Sequence, residues 1–362
     1  MDLIQSDSIP HALLFTGPQG NGKLAMAMAF ASSLQCKKSN NLEVCGICSD
    51  CQKSLKNIHP DIHISFPVIK MEGKKREDTT SIDFLAQFRK YFDLNPFGGY
   101  QPWLEYIQAE NKLANINRTE CQQIIRSLSL QKYEGAYKIQ IIWMAEKLGK
   151  EGNRLLKLIE EPTPDTIIIL LADSSNSLLN TIVSRCQILN IPPFQDEDVS
   201  TLLNGLDLEE NRKNEIIRLA FGDMSKAIAM ATEENNDWDE YLLQIMRTSY
   251  SLNAEKIKGE VAHLTSLGKH NIISFCHYGL YFFREYLKAL HINNTDICRL
   301  SLKEKNTVLR MMKVVDEPMV SELVKLFESN IGLIQRNINN NILWINTFFT
   351  IGQMMRRKKI AA

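Results

Sequence analysis

The sequence has no excess of charge of either sign: 42 basic residues face 42 acidic ones, for a formal charge of zero. Such a protein has no global field to draw it to nucleic acid or to a membrane surface, so any such contact is local or made through partners. No run of about 18 apolar residues occurs, which excludes a membrane-crossing helix. Met1 to Gln5 lacks the basic region and long apolar stretch of a secretory leader. The expected location is the cytoplasm. Internal repeats and low-complexity tracts are missing too, which excludes a repeat array.

A local absence says more. Residues Gly17 to Leu24 read G-P-Q-G-N-G-K-L, a phosphate-binding loop that lacks only its last letter. In such a loop the glycines (Gly17, Gly20 and Gly22) let backbone N–H groups cradle phosphates, the lysine (Lys23) reaches the β- and γ-phosphates, and a final Ser or Thr hydroxyl ligates Mg²⁺. Leu24 cannot ligate Mg²⁺. The flanks suit the motif, because His11 to Phe15 reads as a buried strand and Lys23 to Leu34 as a helix packed on a sheet. The sequence describes an NTPase site without its metal holder.

What the chain does have is an ordinary globular composition, 44% hydrophobic and 23% charged, over 362 residues. That length predicts about two or three domains. Four of its eight cysteines are clustered as Cys36, Cys45, Cys48 and Cys51, spaced C-x8-C-x2-C-x2-C. A C-x2-C step lets two thiolates reach one tetrahedral ion, and four close a structural zinc site with no position open for chemistry. In a chain without a leader, metal is expected over disulfides. Cys121, Cys276 and Cys298 read as small core residues.

Further strands are expected at Asp61–Val68, Lys138–Met144, Thr166–Ala172 and Gln187–Ile191, with helices at Arg118–Leu128 and Glu151–Glu161. Thr166–Ala172 (T-I-I-I-L-L-A) is the β-branched run of a central parallel strand covered on both faces. Residues 70 to 100 are less regular, and the charged run Lys70 to Asp78 reads as an exposed insertion. Repeated β–α alternation gives an α/β class with a parallel sheet. Pro192-Pro193 marks a boundary, beyond which Asp196–Asn204, Glu209–Ala220 and Met224–Thr232 read as three short helices. From about Trp238 onward the periodicity is helical throughout. The expected division is residues 1–192 for the phosphate-loop domain with its cysteine module at 36–51, 193–236 for a helical lid, and 237–362 for an all-α domain.

Taken together, these features resemble a clamp-loader subunit of the AAA+ class. The lead-in Ile9-Pro10-His11-Ala12-Leu13-Leu14-Phe15, the cysteine module after the loop, the helix end Leu155-Leu156-Lys157-Leu158-Ile159-Glu160-Glu161-Pro162 and the triplet Ser184-Arg185-Cys186 each match a motif of the bacterial members. The C-terminal helices echo the family only at Arg336 to Asn341. The family's departures here all remove chemistry. Active members end the third strand in an acidic pair that holds Mg²⁺ and orients water, where this chain has Trp143-Met144. Glu146 comes two residues too late to replace that pair and reads as a solvated charge beside Lys147. Active members carry an Arg in the lid where this chain has Ser225. They also begin with a longer leader, so either the start is truncated or nucleotide binding has eroded further.

The resemblance then points to the delta-prime kind of subunit of the DNA polymerase III clamp loader. It implies a collar-type C-terminal domain, gamma/tau-type ATPase subunits and a delta-type subunit as ring partners, and a sliding clamp and primed DNA reached through the complex. It implies no ATPase activity of the chain's own within the polymerase III holoenzyme, although Gly17, Gly20, Gly22 and Lys23 leave ATP binding without hydrolysis open. Arg185 would act in trans as an arginine finger on a neighbour's ATP. The alternative is a gamma/tau-type ATPase subunit, which requires a Ser or Thr after Lys23 and an acidic pair after the strand at 138–142. A free-standing zinc module that binds nucleic acid is a third reading, but Lys37, Lys38, Lys53 and Lys56 form no dense basic face with interleaved aromatics. The terminal run Arg356, Arg357, Lys358 and Lys359 reads as a solvated tail whose contact with DNA is an open question.

Overall fold

The computed structural model describes residues 9–38, 44–109, 112–232, 238–292, 294–295, 298–312, 315–336 and 338–360. Its described residues form two compact units, one running to Asp207 and taking in Ala220–Ala231, the other made of Leu208–Leu219 and the chain from Thr232 onward.

The first unit is built on five parallel strands, β1 (Ala12–Thr16), β2 (Ile62–Ser65), β3 (Lys138–Trp143), β4 (Thr166–Ala172) and β5 (Gln187–Asn190), in the order β2-β3-β4-β1-β5. β1, β3 and β4 are buried along their whole length, while the edge strands β2 and β5 are half-buried or exposed except at Ser65. Alternation within each strand splits the core in two. Leu13, Phe15, Ile139, Ile141, Ile167 and Ile169 face one cluster, and Ala12, Leu14, Ile142, Ile168 and Leu170 face the other. Helices cover both faces, as a parallel sheet with β-branched central strands requires. The first face carries α1 (Lys23–Gln35), α3 (Leu85–Leu94) and α4 (Tyr100–Tyr106), and α2 (Ser49–Leu55) lies between α1 and β2 in sequence. The second carries α5 (Arg118–Ser129), α6 (Leu156–Glu160) and α7 (Asn180–Val183). The α/β expectation is met.

Three expectations need correction. The run Lys70 to Asp78 is exposed throughout as expected, but the residues after it are not irregular: α3 is a regular amphipathic helix whose Phe88 and Tyr91 are buried in the sheet's core. Phe88 stacks on Phe66 at 4.5 Å and meets Trp143 edge-on at 5.7 Å. The helix expected at 151–161 is a 3-10 stretch, Ala145–Leu155, followed by the short α6. Gly149, at φ 50° and ψ −133°, breaks the α geometry there. The strand expected at 61–68 is shorter, at 62–65.

Three helices follow the sheet: α8 (Asp196–Leu203), α9 (Glu210–Ala220) and α10 (Met224–Thr232). α8 and, except for its last residue, α10 group with the first unit, and α9, except for its last residue, with the second. Arg218 on α9 pairs there with Glu304, which is buried and also accepts from Tyr278 Oη at 2.7 Å and Ser301 N at 2.6 Å. Among the described residues the rest of the second unit is helical: α11 (Trp238–Ser251), α12 (Ala254–Ser266), α13 (Gly268–Ile292), α14 (Leu302–Met311), α15 (Glu317–Gln335) and α16 (Asn340–Ile360). Its core is aromatic, with Phe275, Phe283, Tyr286, Phe327, Trp344 and Phe348 fully buried. Cys276 and Cys298 are buried in this unit and Cys121 in the first, as small core residues should be. No helix of the described residues is long and apolar enough to cross a membrane.

Asp61, at the entry to β2, fixes the loop that leads into β3. It is 3% exposed and accepts backbone N–H bonds from Tyr133, Glu134 and Gly135 at 2.6, 2.9 and 2.7 Å. Burial alone would raise its pKa, but the three donors outweigh it and hold the carboxyl below its ordinary value. Removing the acceptor strands one buried and two part-buried donors, so Asp61→Ala should cost about 2 kcal/mol of stability in urea unfolding. Because the folded pKa is depressed, this stabilisation is complete above the unfolded value of about 3.9 and fades as pH falls through the folded value. A variant whose acid unfolding coincides with that of the parent, at equal stability near neutral pH, would contradict the assignment.

Candidate functional site

The register of the sheet assembles the site. Thr16 on β1 lies opposite Ala172 on β4, so the loop that follows β1 runs beside Asp173, the first residue after β4. The loop turns on left-handed glycines, Gly20 at φ 72° and Gly22 at φ 77°. A side chain at Gly20 would also collide with Asp223, the residue before α10, at 1.7 Å. α10 is tied to the loop by Met224 N donating to Gly20 O at 3.1 Å.

The loop is filled by its own residues. Asn21 Nδ2 donates to Ile191 O at 2.7 Å, and Asn21 Oδ1 accepts from Lys23 N at 3.2 Å, so an amide oxygen occupies one of the donors at the start of α1. Lys23 Nζ donates to Gly17 O, Pro18 O and Asp173 Oδ1, each at 2.9 Å. Gln19 Nε2 holds the other Asp173 oxygen, Oδ2, at 2.9 Å. The rings of Phe97 and Phe194, edge to face at 5.6 Å, lie against Gly22. The remaining cleft has about 20 Å³ of free volume, room for one or two waters and far too little for a triphosphate.

The residues that depart from an active site have become core. Leu24 is 3% exposed, Trp143 2% and Met144 6%. Trp143 belongs to the cluster of Phe88, Tyr91 and Trp103. Glu146 is not the solvated charge expected beside Lys147: it lines the cleft, and its Oε2 is buried without a hydrogen-bond partner. Burial, then the charge of Asp173, pushes its carboxyl up. Asp223 is also pushed up by burial. Ser225 follows on the first turn of α10.

The four cysteines meet. The sulfurs of Cys36, Cys45, Cys48 and Cys51 all lie within 4.8 Å of one another, and Cys45 and Cys51 are 3.8 Å apart. A tetrahedral ion with metal–sulfur bonds of about 2.3 Å requires sulfur separations of about 3.8 Å. Backbone N–H groups of Cys45, Cys48 and Cys51 donate to the sulfurs of Cys36, Cys45 and Cys48, each at 3.4 Å. These bonds are the main reason that the first three thiols are shifted down, whereas burial pushes Cys51 up to about 12. A dication deprotonates a coordinating thiol outright. The donor set therefore fits a metal ion, and these four residues would hold it; all eight cysteines are free of disulfides.

Sequence reasoning missed the base of this module. Asp50, fully buried on α2, meets Lys37 Nζ at 3.0 Å and His59 Nε2 at 3.4 Å. Burial pushes the Asp50 carboxyl up, but Lys37 and His59 outweigh it and hold it below its usual value. Lys53 pairs with Glu134, so two of the lysines near the cysteines already have carboxylate partners. The signal was the His59-Pro60-Asp61 triplet just after the module.

Arg185 stands on the surface after α7. Its Nε donates to Glu160 Oε2 at 3.2 Å, and Nη1 to Thr181 O at 3.0 Å and Ser184 Oγ at 3.4 Å. Its side chain is 35% exposed. In the second unit Arg356 and Arg357 are exposed, as a solvated end should be, and each has a surface partner: Arg356 donates to Tyr250 O and Ser251 O, and Arg357 pairs with Glu322. The side chains of Lys358 and Lys359 lie outside the described residues, as does Asn337.

A family model described as DNA polymerase III, delta subunit, matches residues 1–195, more than half of the chain. The chain belongs to that family. DNA polymerase III subunit delta' of Bacillus subtilis is 26% identical to it over 256 residues, 70% of this chain and 63% of that protein. The delta' subunit of Escherichia coli is 24% identical over 240 residues, 66% of this chain and 60% of that one. The tau subunit of Escherichia coli is 21% identical over 232 residues, 62% of this chain and 29% of that protein. The chain thus spans less than two thirds of the length of each. The matched region contains the phosphate loop, the four cysteines and Arg185.

The purified protein is expected to carry one zinc ion per chain, and Cys48→Ser should lower that content while the sheet domain stays folded, since the ion closes a short excursion between α1 and β2. Elemental analysis with circular dichroism decides this. Metal-free protein with four freely titratable thiols in the folded state would contradict it.

Proposed function

We propose that this chain is the non-catalytic, delta-prime-type member of a DNA polymerase III clamp loader, and that it lends Arg185 to a neighbouring subunit's ATP. One observation carries the first half: Lys23, the cation of the loop, is spent on Gly17, Pro18 and Asp173, while Leu24, Trp143 and Met144 are packed into the core. Leu24 offers no hydroxyl to Mg²⁺, and Trp143-Met144 supply no acidic pair to hold the metal and orient water, the two tasks that hydrolysis of ATP requires. The delta' relatives support the assignment to this kind of subunit.

Arg185 has no use in its own chain's site. It is exposed yet steered by Glu160 and Thr181, with Nη2 unpartnered among the described residues. Such a guanidinium suits the γ-phosphate of an adjoining subunit. The rest of the reading follows the same line: residues 1–192 as the phosphate-loop domain, 193–236 as a lid, 237–362 as a collar that joins gamma/tau-type and delta-type subunits, zinc in the cysteine module, and a cytoplasmic complex that reaches the sliding clamp and primed DNA. The gamma/tau-type alternative draws on the tau likeness, but it needs the hydroxyl and acidic pair that this chain replaces with Leu24, Trp143 and Met144.

In a reconstituted loader, Arg185→Ala should leave assembly unchanged by gel filtration, because loss of an exposed Arg costs little stability. It should lower the DNA- and clamp-stimulated ATPase of the complex. An arginine finger contributes roughly 10³ to 10⁵ at its own site, and the fall in total rate is partial when only one of several sites borders this subunit. Arg185→Lys should restore little, since an ammonium lacks the planar fork of donors. Equal rates for wild type and Arg185→Ala at saturating clamp and DNA would remove Arg185 from the mechanism.

A further inference from the structure

A phosphate-loop lysine serves its ligand by keeping an ammonium available to anionic oxygens. In this chain all three ammonium protons are committed at 2.9 Å, two to the loop's own carbonyls and one to a carboxylate oxygen of Asp173. The carboxylate is held in turn by Gln19. Both ends of the pair are on rigid supports. Lys23 opens α1 and its side chain is 10% exposed, and Asp173 directly follows β4, which is buried at every residue.

The surroundings add to the same effect. Glu146 lines the cleft and Asp223 presses on Gly20, so three carboxyl groups surround a loop with a single lysine. A polyphosphate entering there would meet the Asp173 carboxylate, held on Lys23, where it needs a free ammonium. We propose that Asp173 is a built-in substitute for a ligand phosphate: its carboxylate occupies Lys23 and makes the loop refuse nucleotide polyphosphates, separately from the missing Mg²⁺ hydroxyl.

The inference rests on the non-catalytic reading and deepens it. Leu24, Trp143 and Met144 remove turnover, yet a loop with its lysine free could still bind a nucleotide without hydrolysing it. The Lys23–Asp173 pair removes binding. A loop that neither takes up nor releases a ligand keeps β4, and the segment from Asp173 to Arg185, in one arrangement whatever the nucleotide supply.

The test is calorimetric titration of inorganic pyrophosphate and of ATP into the purified full chain, comparing wild type, Asp173→Ala, Asp173→Asn and Asp173→Ala with Lys23→Ala. Amine acylation of Lys23, read by mass spectrometry, reports the pair directly. Asp173→Ala should bind at least about tenfold more tightly than wild type, lose that gain when Lys23 is also replaced, and show Lys23 acylated several-fold faster. Asp173→Asn keeps the shape and loses the charge, so it carries the same expectation if the alanine variant fails to fold. Wild-type affinity in the folded Asp173 variants, or a gain that survives Lys23→Ala, overturns the proposal. ATP hydrolysis followed in the same samples keeps the two readings apart: turnover by wild type would strike the non-catalytic assignment, whereas unchanged binding strikes only Asp173.

Discussion

The buried pairing of β1 with β4 is the constraint on which the site depends. Seven consecutive residues, Thr166 to Ala172, are buried between helices on both faces, and their parallel register with Ala12–Thr16 fixes where two loops emerge. Burial of this β-branched surface is worth on the order of 1.5–3 kcal/mol per large side chain, so the register does not slip. A one-residue shift would turn Ile167, Ile169 and Leu171 to the wrong face. Lys23 and Asp173 meet because that register sets Gly17 beside Asp173, and Trp143 ends β3 one strand away.

How much of this was legible varies with the range of the interaction. β4 could be read to the residue from T-I-I-I-L-L-A, because burial on both faces leaves an unbroken apolar run. The cysteine module was legible from spacing, since its ligands lie within one short excursion. Helix α3 was obscured by the charged run before it, although Phe84, Phe88 and Tyr91 are spaced as one helical face. Residues 151–155 were read as the start of an α-helix and belong instead to the 3-10 stretch 145–155, in which Gly149 leaves helical geometry. Glu146 looked solvated beside Lys147. Only its position just past the end of β3 turns it into the cleft.

Asp173 could not be singled out, because its partner is 150 residues away in sequence. The losses at Leu24 and Trp143-Met144 were visible as letters, and the structure supplies their physical meaning: the positions are filled by core, and the lysine left behind is neutralised. The Asp50–His59–Lys37 group was likewise unforeseen. It gives the cysteine module a buried charged footing next to β2, so the module is held by polar contacts as well as by any metal ion.

The central claim is that a phosphate loop has been kept as scaffold and lost as an active site. Phosphate release by the isolated chain at saturating ATP and Mg²⁺, compared with Lys23→Ala and Leu24→Thr, tests it most directly. The account predicts that all three are indistinguishable from buffer, because a hydroxyl at position 24 restores one Mg²⁺ ligand but not the acidic pair, replaced by Trp143-Met144, that holds the metal and orients water. Turnover by the wild-type chain that disappears in Lys23→Ala would contradict it.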